Sequence, residues 1–216
     1  PDQRGHGRSM HAPSTGGYHL LDYVADLDAL MSAPEHAIPA LAGQPVVLVG
    51  HSMGASVAAI FASLRPERVS TLVLIEGLMS REPSADEFTN LLTLRLHHLT
   101  SSPQHATLPD SAAAAHRLRQ ATPSLSLERS LRMAERLTQP CENGVCWRWD
   151  AALLTRSDIT YDTLAFTPAH YHTLLSKITA PTTLIYGQAD NPNLVQLQAA
   201  LPSATVEVVR GGHNLH

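Results

Sequence analysis

The chain has 216 residues, 44% of them hydrophobic and 16% charged, with a formal net charge of -4. That length and apolar content suit a soluble globular unit with a sizeable core and exclude disordered and fibrous classes. The mildly acidic balance without a basic run argues against nucleic acid as a partner, and no apolar run reaches membrane-spanning length.

In chain order, the opening Asp2-Gln3-Arg4-Gly5-His6-Gly7-Arg8-Ser9 is a glycine-punctuated loop, with Asp2 and Arg4 as scaffolding. Over residues 15–31, Tyr23, Val24, Leu27, Leu30 and Met31 share one helical face while Asp22 and Asp26 turn away, which predicts a helix covering a sheet. Pro45-Val46-Val47-Leu48-Val49 reads as a short buried strand, and residues 55–62 as a small-residue helix closed by Pro66. Leu72-Val73-Leu74-Ile75-Glu76 is a further strand. From about residue 79 to 172 the pattern changes to short amphipathic helices, over 85–99, 111–120 and 125–137, with turns at Ser101-Ser102-Pro103, Pro109-Asp110 and Thr122-Pro123. Thr167-Pro168 pairs an N-cap with Pro at the first helical position and returns the chain to the core. Residues 182–187 and 205–209 complete the strands.

Cys141 and Cys146 are too few for a disulfide framework; their spacing would allow a small hairpin bridge, but a reduced intracellular pair is the preferred reading. Thirteen histidines do not compose a metal site: adjacent His97 and His98 point about a quarter-turn apart, and His170 and His172 lack a spaced acid or cysteine. Trp147 and Trp149 read as packing within the helical insertion.

Gly50-His51-Ser52-Met53-Gly54 sits between a strand and a helix, the setting in which G-x-S-x-G makes a strained turn that exposes its serine. Ser52 is therefore the candidate nucleophile. A serine hydroxyl needs a base, which in turn needs an orienting carboxylate. His213, after Gly211-Gly212 and the last strand, is the candidate base; Asp190, just past the strand at 182–187, is the favoured acid. Glu76, ending its own strand, is the alternative acid.

These motifs resemble the α/β-hydrolase superfamily: the D-x-R-G-x-G-x-S opening, the G-H-S-M-G turn, Arg65-Pro66-Glu67-Arg68-Val69, the G-x-x-D run from Gly187 to Asp190, and Gly212-His213. Tyr18 to Asp26, Glu76-Gly77-Leu78 and Trp147-Arg148-Trp149-Asp150 are similar to its serine hydrolase-like group. The resemblance implies an α/β fold, a mostly parallel sheet flanked by helices, with a helical cap inserted after the sixth strand. It divides the chain into a first core part (1–78), a cap (79–172) and a second core part (173–216). It also implies a chain trimmed at both ends, lacking the first strands, an H-G loop that supplies one oxyanion donor, and a closing helix, with 46–49 left as an uncovered edge.

The implied activity is a serine hydrolase cleaving esters or similar small-molecule acyl substrates through an acyl-enzyme on Ser52, with the Met53 N–H in the oxyanion hole. It calls for no metal or organic cofactor. C–C bond hydrolysis or cofactor-free haloperoxidase chemistry with the same residues is one alternative, and a non-catalytic ligand-binding member of the fold is another. A cytoplasmic location is the default expectation, and the oligomeric state is left open.

Overall fold

The computed structural model describes residues 1–13, 17–32, 43–77, 84–100, 104–123, 125–153 and 167–215. The expected turn at Ser101-Ser102-Pro103, the boundary between residues 78 and 79, and the side chains of His97 and His98 lie outside the described residues. The chain forms two compact units, one of Pro1–Tyr18 with Thr89–Ser157 and the other of His19–Phe88 with Asp158–His216. The sequence reading grouped the opening segment with the core strands instead.

The second unit is built on four parallel strands in the order β1 (Val46–His51), β2 (Val69–Ile75), β5 (Thr182–Tyr186) and β6 (Thr205–Val208). β-Branched and apolar residues dominate these runs because they fit a pleated surface covered by helices. The register pairs His51 with Ile75, Ile75 with Ile185, and Tyr186 with Val208, so all four strands end at nearly the same level. Parallel direction then places the four following loops along one edge of the sheet. β1 is an edge strand, with Val47 and Val49 63% and 57% exposed.

Helix α2 (Met53–Leu64) follows β1 directly and is buried from Ala55 through Ser63. It is not amphipathic because it has neighbours on several sides: β1, β2, α1 (Leu20–Ser32) and α6 (Pro168–Leu175). Its alanines let those neighbours approach, and Ile60 and Phe61, each 1% exposed, fill the remaining space. Burial of such a side chain contributes about 1.5–3 kcal/mol. Helix α1 turns Leu20, Tyr23, Val24 and Met31 inward, on the face expected from the sequence. Thr167 caps α6 by accepting from the His170 N–H, with Pro168 in the first turn, as its sequence predicts.

The first unit contains α4 (Ser111–Ala121) and α5 (Leu127–Leu137), capped by the Asp110 and Ser126 side chains. Leu108, Ala114, Ala115 and Ala134 form its small core, with Leu118, Leu131, Val145 and Trp147 packed around them. Two findings correct the sequence reading of this region. It is not wholly helical: β3 (Thr138–Cys141) and β4 (Gly144–Trp147) form an antiparallel hairpin, turned by Asn143 at φ 64°. Cys141 and Cys146 are not a reduced pair but a disulfide across that hairpin. The hairpin register carries the two cysteines into reach of each other. The opening loop belongs here as well: the Asp150 N–H donates to the Gly5 carbonyl at 2.8 Å, and the Tyr18 hydroxyl donates to the Asp150 carboxylate.

Two buried phenols give the second unit a pH signature. Burial pushes the Tyr171 phenol up to about 12, partly offset by its hydrogen bond with Ser56. Burial, then the charge of Glu76, then Tyr171, push Tyr186 up as well. Both folded-state values lie above the unfolded value of about 10, so the unfolded chain gives up these protons first. Their stabilisation is complete below about pH 10 and is lost as pH rises through the folded values. Melting temperatures between pH 8 and 11.5 should fall more steeply in the wild type than in Tyr171→Phe, by up to about 1.4 kcal/mol per pH unit at the limit. Parallel curves would show that the Tyr171 phenol is not buried.

Candidate active site

Past the end of β1 the chain must turn sharply into α2, and it does so at Ser52, with φ 53° and ψ -121°. A non-glycine residue there carries strain on the order of 1–3 kcal/mol, so its surroundings must hold it. The Ser52 N–H donates to the Ile75 carbonyl at 2.9 Å, which extends the β1–β2 ladder by one rung. Gly50 permits the turn because a Cβ on it would run into the Gly54 carbonyl.

One strand over, Glu76 leaves β2 with φ 47°. Its N–H donates to the Ile185 carbonyl at 2.9 Å, the equivalent rung between β2 and β5. Ser52 and Glu76 therefore occupy matching places on neighbouring strands. Glu76 is only 5% exposed, and a buried charge needs partners. Its Oε1 accepts from the Gly187 N–H at 2.6 Å. Its Oε2 faces the Asn191 Nδ2 and the His213 Nδ1, each at 3.5 Å.

Asn191 is the N-cap of α7 (Pro192–Ala200), where its Oδ1 accepts from the Asn193 N–H at 2.9 Å. With the oxygen engaged by the helix, the amide nitrogen is the group left to face Glu76. The Tyr186 hydroxyl donates to the Gly77 carbonyl and so pins the backbone just beyond Glu76.

His213 completes the arrangement: its Nε2 lies 2.9 Å from the Ser52 Oγ. An ionised carboxylate can only accept, so Glu76 selects the tautomer with a proton on Nδ1. Nε2 is then free to accept from the serine hydroxyl. Half of the His213 side chain, 49%, is exposed, against 6% for that of Glu76. On its other side the His51 Nε2 lies 2.7 Å from the His213 carbonyl oxygen.

The structure thus brings together Ser52 and His213 as the sequence suggests, but it does not bring Asp190 to them. Asp190 is exposed, and among the described residues it makes no hydrogen bond or ion pair. The carboxylate at His213 is Glu76, the alternative acid. The loop expected to supply the acid supplies Asn191 instead, one residue further on. The physical reason is depth: Glu76 continues a central strand into the site, whereas Asp190 stands out beyond the end of β5. Met53 is the first residue of α2, so its N–H is one of those a helix leaves without an intrahelical partner. Among the described residues no group of three or more His, Cys, Asp and Glu is placed to hold a metal ion.

A family model described as alpha/beta hydrolase fold matches residues 1–216. Among curated proteins, a serine hydrolase-like protein of Danio rerio is 37% identical over 92 residues, which are 42% of this chain and 26% of that protein. The lipase LipV of Mycobacterium tuberculosis is 38% identical over 85 residues, 39% of this chain and 28% of that protein. The matched segments thus span about a quarter of those relatives' own length. Among solved structures, a thioesterase domain from the curacin biosynthetic pathway superposes with a TM-score of 0.84 at 41% identity, covering 100% of this chain and 75% of that one.

The turn itself is testable. Gly50→Ala must push against backbone, not against a flexible side chain, and should lower unfolding stability by about 2 kcal/mol or more. Gly212→Ala, with nothing within 4 Å of its would-be Cβ, is the control and should stay within about 0.5 kcal/mol of wild type. Equal denaturant midpoints for the two variants would show that the turn has room for a side chain at residue 50.

Proposed function

Because the chain belongs to the alpha/beta hydrolase fold family, we propose that it is a serine hydrolase that cleaves acyl esters or thioesters through an acyl-enzyme on Ser52. The observation that carries this reading is the 2.9 Å approach of His213 Nε2 to Ser52 Oγ, with the Glu76 carboxylate on the far side of the ring. In the proposed reaction, Ser52 Oγ attacks the carbonyl carbon while His213 takes its proton. Glu76 orients the ring and stabilises the imidazolium. The 3.5 Å separation shortens as that charge develops, since a charge-assisted bond is shorter than a neutral one.

The tetrahedral oxyanion is stabilised by the Met53 N–H at the head of α2, aided by the positive end of the helix dipole. His213 then returns its proton to the leaving group. Water, deprotonated by the same imidazole, attacks the acyl carbon; the bond to Ser52 Oγ breaks, His213 returns the proton to that oxygen, and the acid is released. Thioesters enter the proposal through the 41% identity to the thioesterase domain, and oxygen esters through the lipase relative. None of these steps calls for a metal or an organic cofactor.

Residues 79–172 are proposed to be a cap insertion. No helix among the described residues is long and apolar enough to cross a membrane. The sequence suggests the cytoplasm, but the Cys141–Cys146 bridge counts against a reducing compartment and favours an oxidising one.

Ser52→Ala should lower turnover of a p-nitrophenyl ester or an acyl thioester by at least about a thousandfold. Glu76→Gln should cost orders of magnitude in kcat, and Asp190→Asn less than about threefold. Activity above a tenth of wild type in Ser52→Ala would end the nucleophile reading. A larger loss in Asp190→Asn than in Glu76→Gln would move the acid role to Asp190.

A further inference from the structure

Among the described residues, no backbone-to-backbone hydrogen bond reaches residues 210–215; the last is the Val209 N–H to the Tyr186 carbonyl at 2.9 Å. Gly211 and Gly212 precede the histidine and lack side chains to anchor the loop. Nothing lies within 4 Å of the position a Gly212 Cβ would take. Yet the imidazole must stay within hydrogen-bond reach of Ser52 on one side and Glu76 on the other.

A side chain in the nucleophile turn bonds the backbone of this segment: His51 Nε2 lies 2.7 Å from the His213 carbonyl oxygen. A carbonyl only accepts, so this nitrogen carries a proton in either charge state that makes the bond. The two rings also lie close, with centroids 5.0 Å apart at an interplanar angle of 44°.

We propose that His51 is a positioning residue that ties the His213 loop to the Ser52 turn and thereby fixes the distance over which the proton moves. His51 is the last residue of β1, and its backbone is in register with Ile75. It is therefore anchored to the sheet. Residue 51 precedes the nucleophile by one, so the reference point for His213 is the same turn that presents Ser52 Oγ. This rests on the serine hydrolase reading for its catalytic consequence, but the tether itself is a statement about the loop.

Three substitutions separate the hydrogen bond from packing. A glutamine amide nitrogen stands as many bonds from Cα as Nε2 does and can replace the donor. An asparagine amide is one bond shorter, and phenylalanine keeps a ring without a donor. In the 216-residue chain, the rate at which a fluorophosphonate probe labels Ser52 should fall about tenfold in His51→Phe and His51→Asn and stay within about threefold of wild type in His51→Gln. In parallel, the backbone amide order parameter of His213 should drop from about 0.85 to below about 0.6 in the Phe and Asn variants only. Labelling and order parameters unchanged in the Phe and Asn variants would overturn the tether, as would a wild-type His213 amide that is already flexible. Whatever the labelling rate of the wild type, the order parameters decide the role of His51. If His51→Phe does not fold, His51→Asn carries the comparison.

Discussion

The site depends on strand register. Two rungs beyond the formal ends of the strands, Ser52 N–H to Ile75 O and Glu76 N–H to Ile185 O, carry the parallel ladder into residues that are already turning away. Both residues have left-handed backbones, at φ 53° and 47°. Each such conformation costs on the order of 1–3 kcal/mol and survives only where its surroundings over-determine it. Here the surroundings are the sheet itself. A one-residue slip between β1 and β2 would move Ser52 out of step with Glu76, and it would also turn every buried side chain of one strand to the opposite face. The core therefore enforces the spacing of Ser52 and Glu76.

The choice of Glu76 over Asp190 beside His213 follows from where a carboxylate orients a ring most firmly. Glu76 is buried, and its oxygens are held by the Gly187 N–H and the Asn191 amide, so little reorganisation would be needed for the imidazolium that the proposed reaction calls for. Asp190 stands in solvent, where its side chain would have to be ordered and desolvated first. Asn191 shows how the loop still contributes. Capping α7 uses its oxygen and leaves the amide nitrogen for Glu76, so one side chain serves both a helix end and a carboxylate.

Much of this was legible in the sequence because it depends on short-range signals. The β1–turn–α2 passage is written in Pro45-Val46-Val47-Leu48-Val49 and the G-x-S-x-G that follows, and the cap at Thr167 is local as well. The carboxylate beside His213 was harder to read, because a glutamate closing an apolar strand looks like any polar residue that ends one. Choosing Glu76 needs the depth of β2 in the sheet and its step with β1, and both are set by pairings across long stretches of chain. The hairpin was legible in principle. Asn143-Gly144 is a strong turn signal, and cysteines at 141 and 146 flank it closely enough to be bridged. Helical periodicity on either side obscured it.

Tyr186 links the core to the site through the same logic. It is the last residue of β5, fully buried, and its hydroxyl donates to the carbonyl of Gly77, just past the strained Glu76. That donation requires a protonated phenol. Burial and the neighbouring charge of Glu76 both disfavour the tyrosinate, so the carboxylate that needs its backbone held helps keep the donor that holds it protonated. Gly77 fits the arrangement, since a Cβ there would come within 3.2 Å of the Leu197 Cδ1. The strain at Glu76 is thus opposed from two directions, by the ladder bond behind it and by the tyrosine ahead of it. Neither restraint touches the face of the carboxylate that meets His213.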